Sequence, residues 1–140
     1  MYKTKNNHLQ VVCGIIEKKG MILAAKRSST QAHAGCWEFP GGKIHTRETP
    51  ADAIIRELIE ELGIIVIPRL QLASVRHTYT LKQIELIPFV CSIAAGCLYP
   101  LEHQELRWID PNPEPHINLL PPDREILAIY RSYCLQHKND

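Results

Sequence analysis

GGKIHTRETPADAIIRELIEELGI, Gly41 to Ile64, reads as a turn, a helix and a stop. Gly41-Gly42 after Pro40 interrupts regular structure. Thr49 is suited to cap a helix, Pro50 to its first position, and Asp52 to the positive end of its dipole. Gly63 ends it. The pattern therefore predicts a helix over Thr49 to Leu62. Counting about 100° per residue from Glu57, Glu60 lies near 300° and Glu61 near 40°, so the three carboxylates share an arc of about 100°. Ile55, Leu58, Ile59 and Leu62 fall at about 100–200°, which predicts an apolar face opposite the acids. Arg56 is the nearest cation and no Lys stands at the next turn, so the acids are expected to repel one another uncompensated. A charged face of this kind is usually only solvated. Here Glu48 precedes the cap and a bare glycine pair lies upstream, where backbone can approach a ligand. Clustered oxygens of this kind suit a hard divalent cation, Mg²⁺ or Mn²⁺.

The flanks alternate between strand and turn signals. Leu9 to Ile16 is apolar and β-branched, as a buried strand is. Lys18-Lys19-Gly20 is a turn and Met21 to Ala25 a second strand. Ser28 to Gly35 reads as an exposed loop, and Trp37-Glu38-Phe39 as a short extended piece. Ile64 to Ile67, Leu70 to Tyr79 and Gln83 to Ile93 read as strands, the last two as an antiparallel pair turning near Thr80 to Lys82. Leu106 to Ile109 is a further short strand. After Pro-rich loops, Asp123 to Leu135 follows Pro121-Pro122 as a closing helix. Strands around one central and one terminal helix predict an α/β layered domain.

With 140 residues the chain fits one domain, 1–140, with a core of its own. A net charge of +1 gives no field for a nucleic acid polymer or a membrane, so anion binding must be local. Five cysteines without a CxxC pair point away from disulfides and zinc and toward a reducing cytosol. The N-terminus carries no apolar signal core. The stretch Ile87 to Leu101 is broken by Pro88, Gly96 and Pro100, too early for a membrane span. The seven histidines are scattered, without HxH or HExxH.

Gly42, five residues, Glu48, seven residues, then Arg56-Glu57-Leu58-Ile59-Glu60-Glu61-Leu62-Gly63-Ile64 resembles the Nudix box at every fixed position. Trp37 to Ile44, the pair Lys26-Arg27, Glu102-His103-Gln104 with Trp108, and Pro121-Pro122-Asp123 are similar to the MutT and CTP pyrophosphohydrolase branch. The likeness runs from about Leu9 to Ile129 and thins in the middle strands. It implies an α/β/α sandwich with a mixed central sheet, the box as loop–helix–loop, and a C-terminal helix. It also implies Mg²⁺-dependent hydrolysis of a nucleoside triphosphate, normal, oxidised or otherwise modified, to the monophosphate and pyrophosphate. ADP-ribose or a dinucleoside polyphosphate as substrate, or a non-catalytic nucleotide-binding domain, are the alternatives. Monomer and dimer remain open.

The resemblance also assigns residues. Glu57, Glu60, Glu61, Glu102 and the backbone carbonyl of Gly41 are the implied metal ligands, with Glu57, Glu60 and Glu102 acting in catalysis. Gly42, Glu48, Arg56 and Gly63 hold the box together, Glu48 and Arg56 as an ion pair. Arg27 is the implied phosphate clamp, since guanidinium forks onto phosphate oxygens. Lys26 is a weaker partner, because neighbours on a strand point to opposite faces. Phe39 is expected to stack on the base and Tyr79 to form a second wall, although aromatics here are commonly core. Asp123 matches the position that reads the base edge. Its alternative role is N-cap of the last helix.

Overall fold

The computed structural model describes residues 8–112 and 115–137. The polar residues 1–7 and residues 113–114 of the Pro-rich stretch lie outside this description. In chain order the elements are β1 (His8–Lys18), β2 (Met21–Lys26), β3 (Trp37–Glu38), β4 (Gly41–Lys43), α1 (Pro50–Leu62), β5 (Ile64–Gln71), β6 (Val75–Tyr79), β7 (Lys82–Gly96), β8 (Glu105–Ile109) and α2 (Pro121–Gln136).

Strand periodicity separates two cores. Cys13 and Ile15 of β1 and Leu86 and Val90 of β7 pack beneath α2, with its Ile126, Leu127 and Tyr130. Val12 and Ile16 of β1 and Ile87, Phe89 and Cys91 of β7 pack beneath α1, with its Ala53, Ile54, Leu58 and Leu62. The result is the expected α/β/α sandwich. Each of these fully buried aliphatic side chains contributes about 1.5–3 kcal/mol by leaving water.

The mixed sheet has its hub at β1. On one side β7 runs parallel to it, over residues 83–92. The other side is shared: β4 pairs antiparallel with Val11, Val12 and Cys13, and β2 with Glu17 and Lys18. Between them the Gly14 N–H donates to the Pro40 carbonyl at 2.8 Å. The sheet therefore forks at Gly14, and the box strand β4 leaves along one prong.

Several expectations need correction. Pro40-Gly41-Gly42 does more than interrupt the chain, because Gly41–Lys43 is itself a strand. A Cβ at Gly41 would stand 1.9 Å from the Val12 carbonyl oxygen, so only glycine lets β4 lie this close to β1. The strand starting at Ile64 continues through Pro68 to Gln71, with register shifts at Ile65/Val66 and Pro68/Leu70. Proline is tolerated there because β5 is an outer strand and the register slips at that point. Leu70 to Tyr79 is consequently two pieces, separated at residues 72–74. The β6–β7 hairpin is antiparallel as expected, with Tyr79 opposite Lys82.

The helix α1 has the expected N-cap, with Thr49 Oγ1 accepting from the Asp52 N–H, and ends at Gly63 in the left-handed region. Its faces differ from the wheel. Ile59 is 46% exposed, whereas Glu61 is buried beside Ala53, Ile54, Leu58 and Leu62. The buried arc is turned toward the acids because β4 covers that edge. α2 starts at Pro121 with Leu120 as N-cap, so Asp123 lies inside the first turn and is not the cap.

Gly41→Ala should lower unfolding free energy by about 1–3 kcal/mol or more in urea titration, because the clash is with backbone. Gly42→Ala meets only the movable Glu57 carboxyl, 2.4 Å away, and should cost less than about 1 kcal/mol. Equal losses would contradict this assignment of the two glycines.

Candidate functional site

The fork opens a cleft of about 860 Å³ on the α2 side of the sheet. Val11 and Cys13 form part of its floor and Gly41 and Lys43 of β4 one rim. The β6–β7 turn, with Tyr79, Thr80 and Leu81, forms another rim, and Pro122 and Asp123 of α2 close the end. Where β4 passes from this cleft to α1, the acids of the helix meet it.

Glu61 occupies that junction. It is 7% exposed, and its Oε1 accepts from the Gly41 N–H at 3.2 Å. Burial raises its pKa to about 9, and the like charges of Glu57, Glu38 and Glu102 add to the rise. Acids of α1, β3 and the segment before β8 thus all act by charge on this one carboxyl. The Glu57 carboxyl lies against Gly42, where any Cβ would collide with it. Glu60 and Glu102 are exposed.

Arg56 corrects the expectation of uncompensated repulsion. Its Nε and Nη2 donate to Glu48 at 2.6 and 2.9 Å, and its Nη1 to Glu57 Oε2 at 3.0 Å and Glu60 Oε1 at 3.2 Å. It also donates to the Lys43 carbonyl at 2.9 Å, which ties β4 to α1. Hydrogen bonding from Arg56 holds the Glu48 carboxyl down at about 2. Gly63 closes the helix behind this group.

Among the described residues no three His, Cys, Asp or Glu side chains already converge as a ligand set. Arg56 donates to the carboxylates of Glu57 and Glu60, and the Gly41 N–H to that of Glu61. The chemistry of the donor set nevertheless fits a hard divalent cation. The donors are carboxylate oxygens, and Glu61 is an acid whose ionisation is opposed by three others. Glu57, Glu60, Glu61, Glu102 and the Gly41 carbonyl are the groups available to hold it.

Asp123 lies at the far end of the cleft. It is buried, and its Oδ1 accepts from the Phe39 N–H at 2.8 Å. Burial raises its pKa to about 8, against the Phe39 hydrogen bond. Phe39 lines the cleft but belongs to the core beneath α2, so its ring is floor more than a free stacking face. Tyr79 lines the wall, edge-on to His77 at 4.4 Å and tilted to His33 at 5.9 Å. Arg27 lines the cleft too, but is engaged: Nη1 donates to Glu38 at 2.7 Å and Nε to the Ala32 carbonyl at 2.6 Å. Lys26, on β2, is not among the cleft residues.

Two residues of motifs quoted above had no role assigned from the sequence. Glu38 accepts from Arg27 and pairs with His103 Nε2 at 2.8 Å, between the acids and the cleft. Its signal was a single acid between Trp37 and Phe39, pointing away from both aromatics on an extended piece. His103 is buried by tertiary contacts alone, which no local pattern announces.

The chain as a whole is similar to known proteins. A NUDIX domain family model matches residues 11–128. The CTP pyrophosphohydrolase of Escherichia coli (strain K12) is 36% identical over 122 residues, 87% of this chain and 90% of that protein. The 8-oxo-dGTP diphosphatase of Proteus vulgaris is 39% identical over 83 residues, 59% of this chain and 74% of that one. Among solved structures, the E. coli ORF135 protein superposes with a TM-score of 0.83 at 33% identity, covering 96% of each chain. A MutT protein from Methanosarcina mazei Go1 gives 0.82 at 25% identity, covering 94% and 98%.

The buried acid at the end of the cleft gives a pH test. The folded-state pKa of Asp123, about 8, lies above its ordinary value of 3.8, so the folded chain binds the extra proton between these limits. Stability should therefore fall as pH rises from about 4 to 8. Asp123→Asn should make that part of the urea midpoint profile, measured in chelator, shallower, the slope left over being that of Glu61. An unchanged slope in the variant would show that Asp123 ionises freely.

Proposed function

Since the chain belongs to the NUDIX domain family, we propose that it is a MutT-like nucleotide pyrophosphohydrolase. It hydrolyses a nucleoside triphosphate, including oxidised or modified forms, to the monophosphate and pyrophosphate. The observation that carries this reading is the buried Glu61 carboxyl, hydrogen-bonded to the Gly41 N–H and subject to the charges of Glu57, Glu38 and Glu102, beside a cleft large enough for a nucleotide. The printed activities of the CTP and 8-oxo-dGTP relatives support a nucleotide as substrate. Asp123 and the sequence likeness of Glu102-His103-Gln104 favour a pyrimidine base over strict 8-oxo-dGTP preference.

Nudix hydrolases generally use a divalent metal, here Mg²⁺, with Mn²⁺ as a substitute. Bound, it would neutralise phosphate oxygens and lower the pKa of the attacking water. The chain's own residues do the rest. Glu57, Glu60, Glu61 and the Gly41 carbonyl would offer the oxygens that hold the cation. Glu102 accepts the proton from water at its exposed carboxylate. Arg56 holds Glu57 and Glu60 in place from behind and, with Glu48, keeps the box loop on the helix. Arg27, positioned by Glu38, supplies positive charge to the phosphates at the cleft wall. Asp123 and Tyr79 contact the base, and Phe39 supports it from the floor.

A single catalytic domain in the cytosol fits the free thiols, two of them, Cys13 and Cys91, buried. No helix among the described residues is long and apolar enough to cross a membrane.

Glu60→Gln and Glu61→Gln should each lower kcat by about 10²–10³-fold while leaving the urea midpoint in place or higher. Comparison of kcat/KM for dCTP, 5-substituted dCTP, 8-oxo-dGTP, dGTP and ADP-ribose with Mg²⁺ tests the substrate. The expected order puts a triphosphate with pyrophosphate release first, and ADP-ribose leading the series would overturn it.

A further inference from the structure

We propose that His103 is a positioning residue for this hydrolysis, acting through Glu102, an inference that rests on the proposed function. Glu102 is exposed, so its placement depends on the chain that carries it. Before it, the Tyr99 N–H donates to the Leu62 carbonyl and the Leu101 N–H to the Glu61 carbonyl, both at 3.0 Å. After it, the Gln104 N–H donates to the Lys26 carbonyl at 2.9 Å. The one side chain in this segment that turns inward is His103, directly beside Glu102.

That inward turn runs against the hydrophobic effect. Tyr99 is 64% and Leu101 56% exposed, while the imidazole is 6% exposed. Burying a polar ring in place of two apolar side chains is unfavourable, and Nδ1 is buried without a hydrogen-bond partner. What the segment gains is a fixed attachment. His103 Nε2 lies 2.8 Å from Glu38 Oε2, and Glu38 Oε1 accepts from Arg27 Nη1 at 2.7 Å. A carboxylate already bridging to arginine calls for a donor, which sets the Nε2–H tautomer and leaves Nδ1 as the bare acceptor. Glu38 is also one of the acids whose charge acts on Glu61. The imidazole thus ties the segment carrying Glu102 to the carboxylate that lies between the acid cluster and the cleft. Without that tie the flanking backbone bonds remain, but the residue next to Glu102 loses its anchor on Glu38, and the placement of Glu102 loosens.

The test uses the full chain with Mg²⁺ and the best triphosphate of the panel. Gln can place its amide nitrogen near the position of Nε2, whereas Asn is too short. His103→Gln should keep kcat within about threefold of wild type, and His103→Asn should lower it by about tenfold or more, with KM within about threefold in both. In a Glu102→Gln background the His103→Asn factor should shrink to within about twofold, because the group it positions is already gone. The same factor in both backgrounds, a loss confined to KM, unchanged kcat in His103→Asn, or unchanged turnover in Glu102→Gln alone would each overturn the proposal. If neither variant of His103 folds at 25 °C by circular dichroism, the residue is a core element and the proposal fails. A wild-type chain inactive on every nucleotide would instead refute the proposed function.

Discussion

The carboxyl of Glu61 has to lie in a nearly dry place among three other acids. The neighbouring geometry follows from that constraint. The Gly41 N–H provides a hydrogen bond, but one backbone donor does not offset burial, and the pKa stays near 9. Gly41 is required on steric grounds to let β4 onto β1, whereas Gly42 faces only the movable end of Glu57 at closest approach. Arg56 spreads its donors over Glu48, Glu57, Glu60 and a β4 carbonyl, so a single guanidinium fastens loop, strand and helix together. The donors at this site are carboxylate oxygens, the kind that a hard divalent cation takes.

The fork in the sheet connects this site to the cleft. Because β4 and β2 share one side of β1, the gap between them joins the α1 face to the α2 face. The acids sit on one face, the cleft and Asp123 on the other. Glu38 touches both through charge: it acts on Glu61 toward one side and on Asp123 and Tyr79 toward the other. Arg27, Glu38 and His103 form one hydrogen-bonded chain at this junction.

Much of this was legible in the residue order. The helix with its Thr49 cap and Gly63 stop, the alternating strands, the β6–β7 hairpin and the layered α/β class all follow from local rules, and α1 and its box were the most specific. What was hidden depended on neighbours distant in sequence. A helical wheel assumes a single packing surface, so it placed Ile59 inside and Glu61 outside, whereas β4 covers a second edge. Proline normally ends a strand, but β5 lies on the outside of the sheet, where the missing N–H costs little. Asp123 has the composition of a cap, yet its oxygen serves the Phe39 N–H, 84 residues away. Glu38 and His103 become meaningful only once β3 and the segment before β8 are brought together.

The central claim is that Glu61 is protonated in the metal-free protein at neutral pH and must ionise when a divalent cation binds. Calorimetric titration of Mg²⁺ at pH 7.5, repeated in buffers of different ionisation enthalpy, counts the protons released. The account predicts about one proton released per cation bound, and none in Glu61→Gln. Binding with no proton released by the wild-type chain would contradict it.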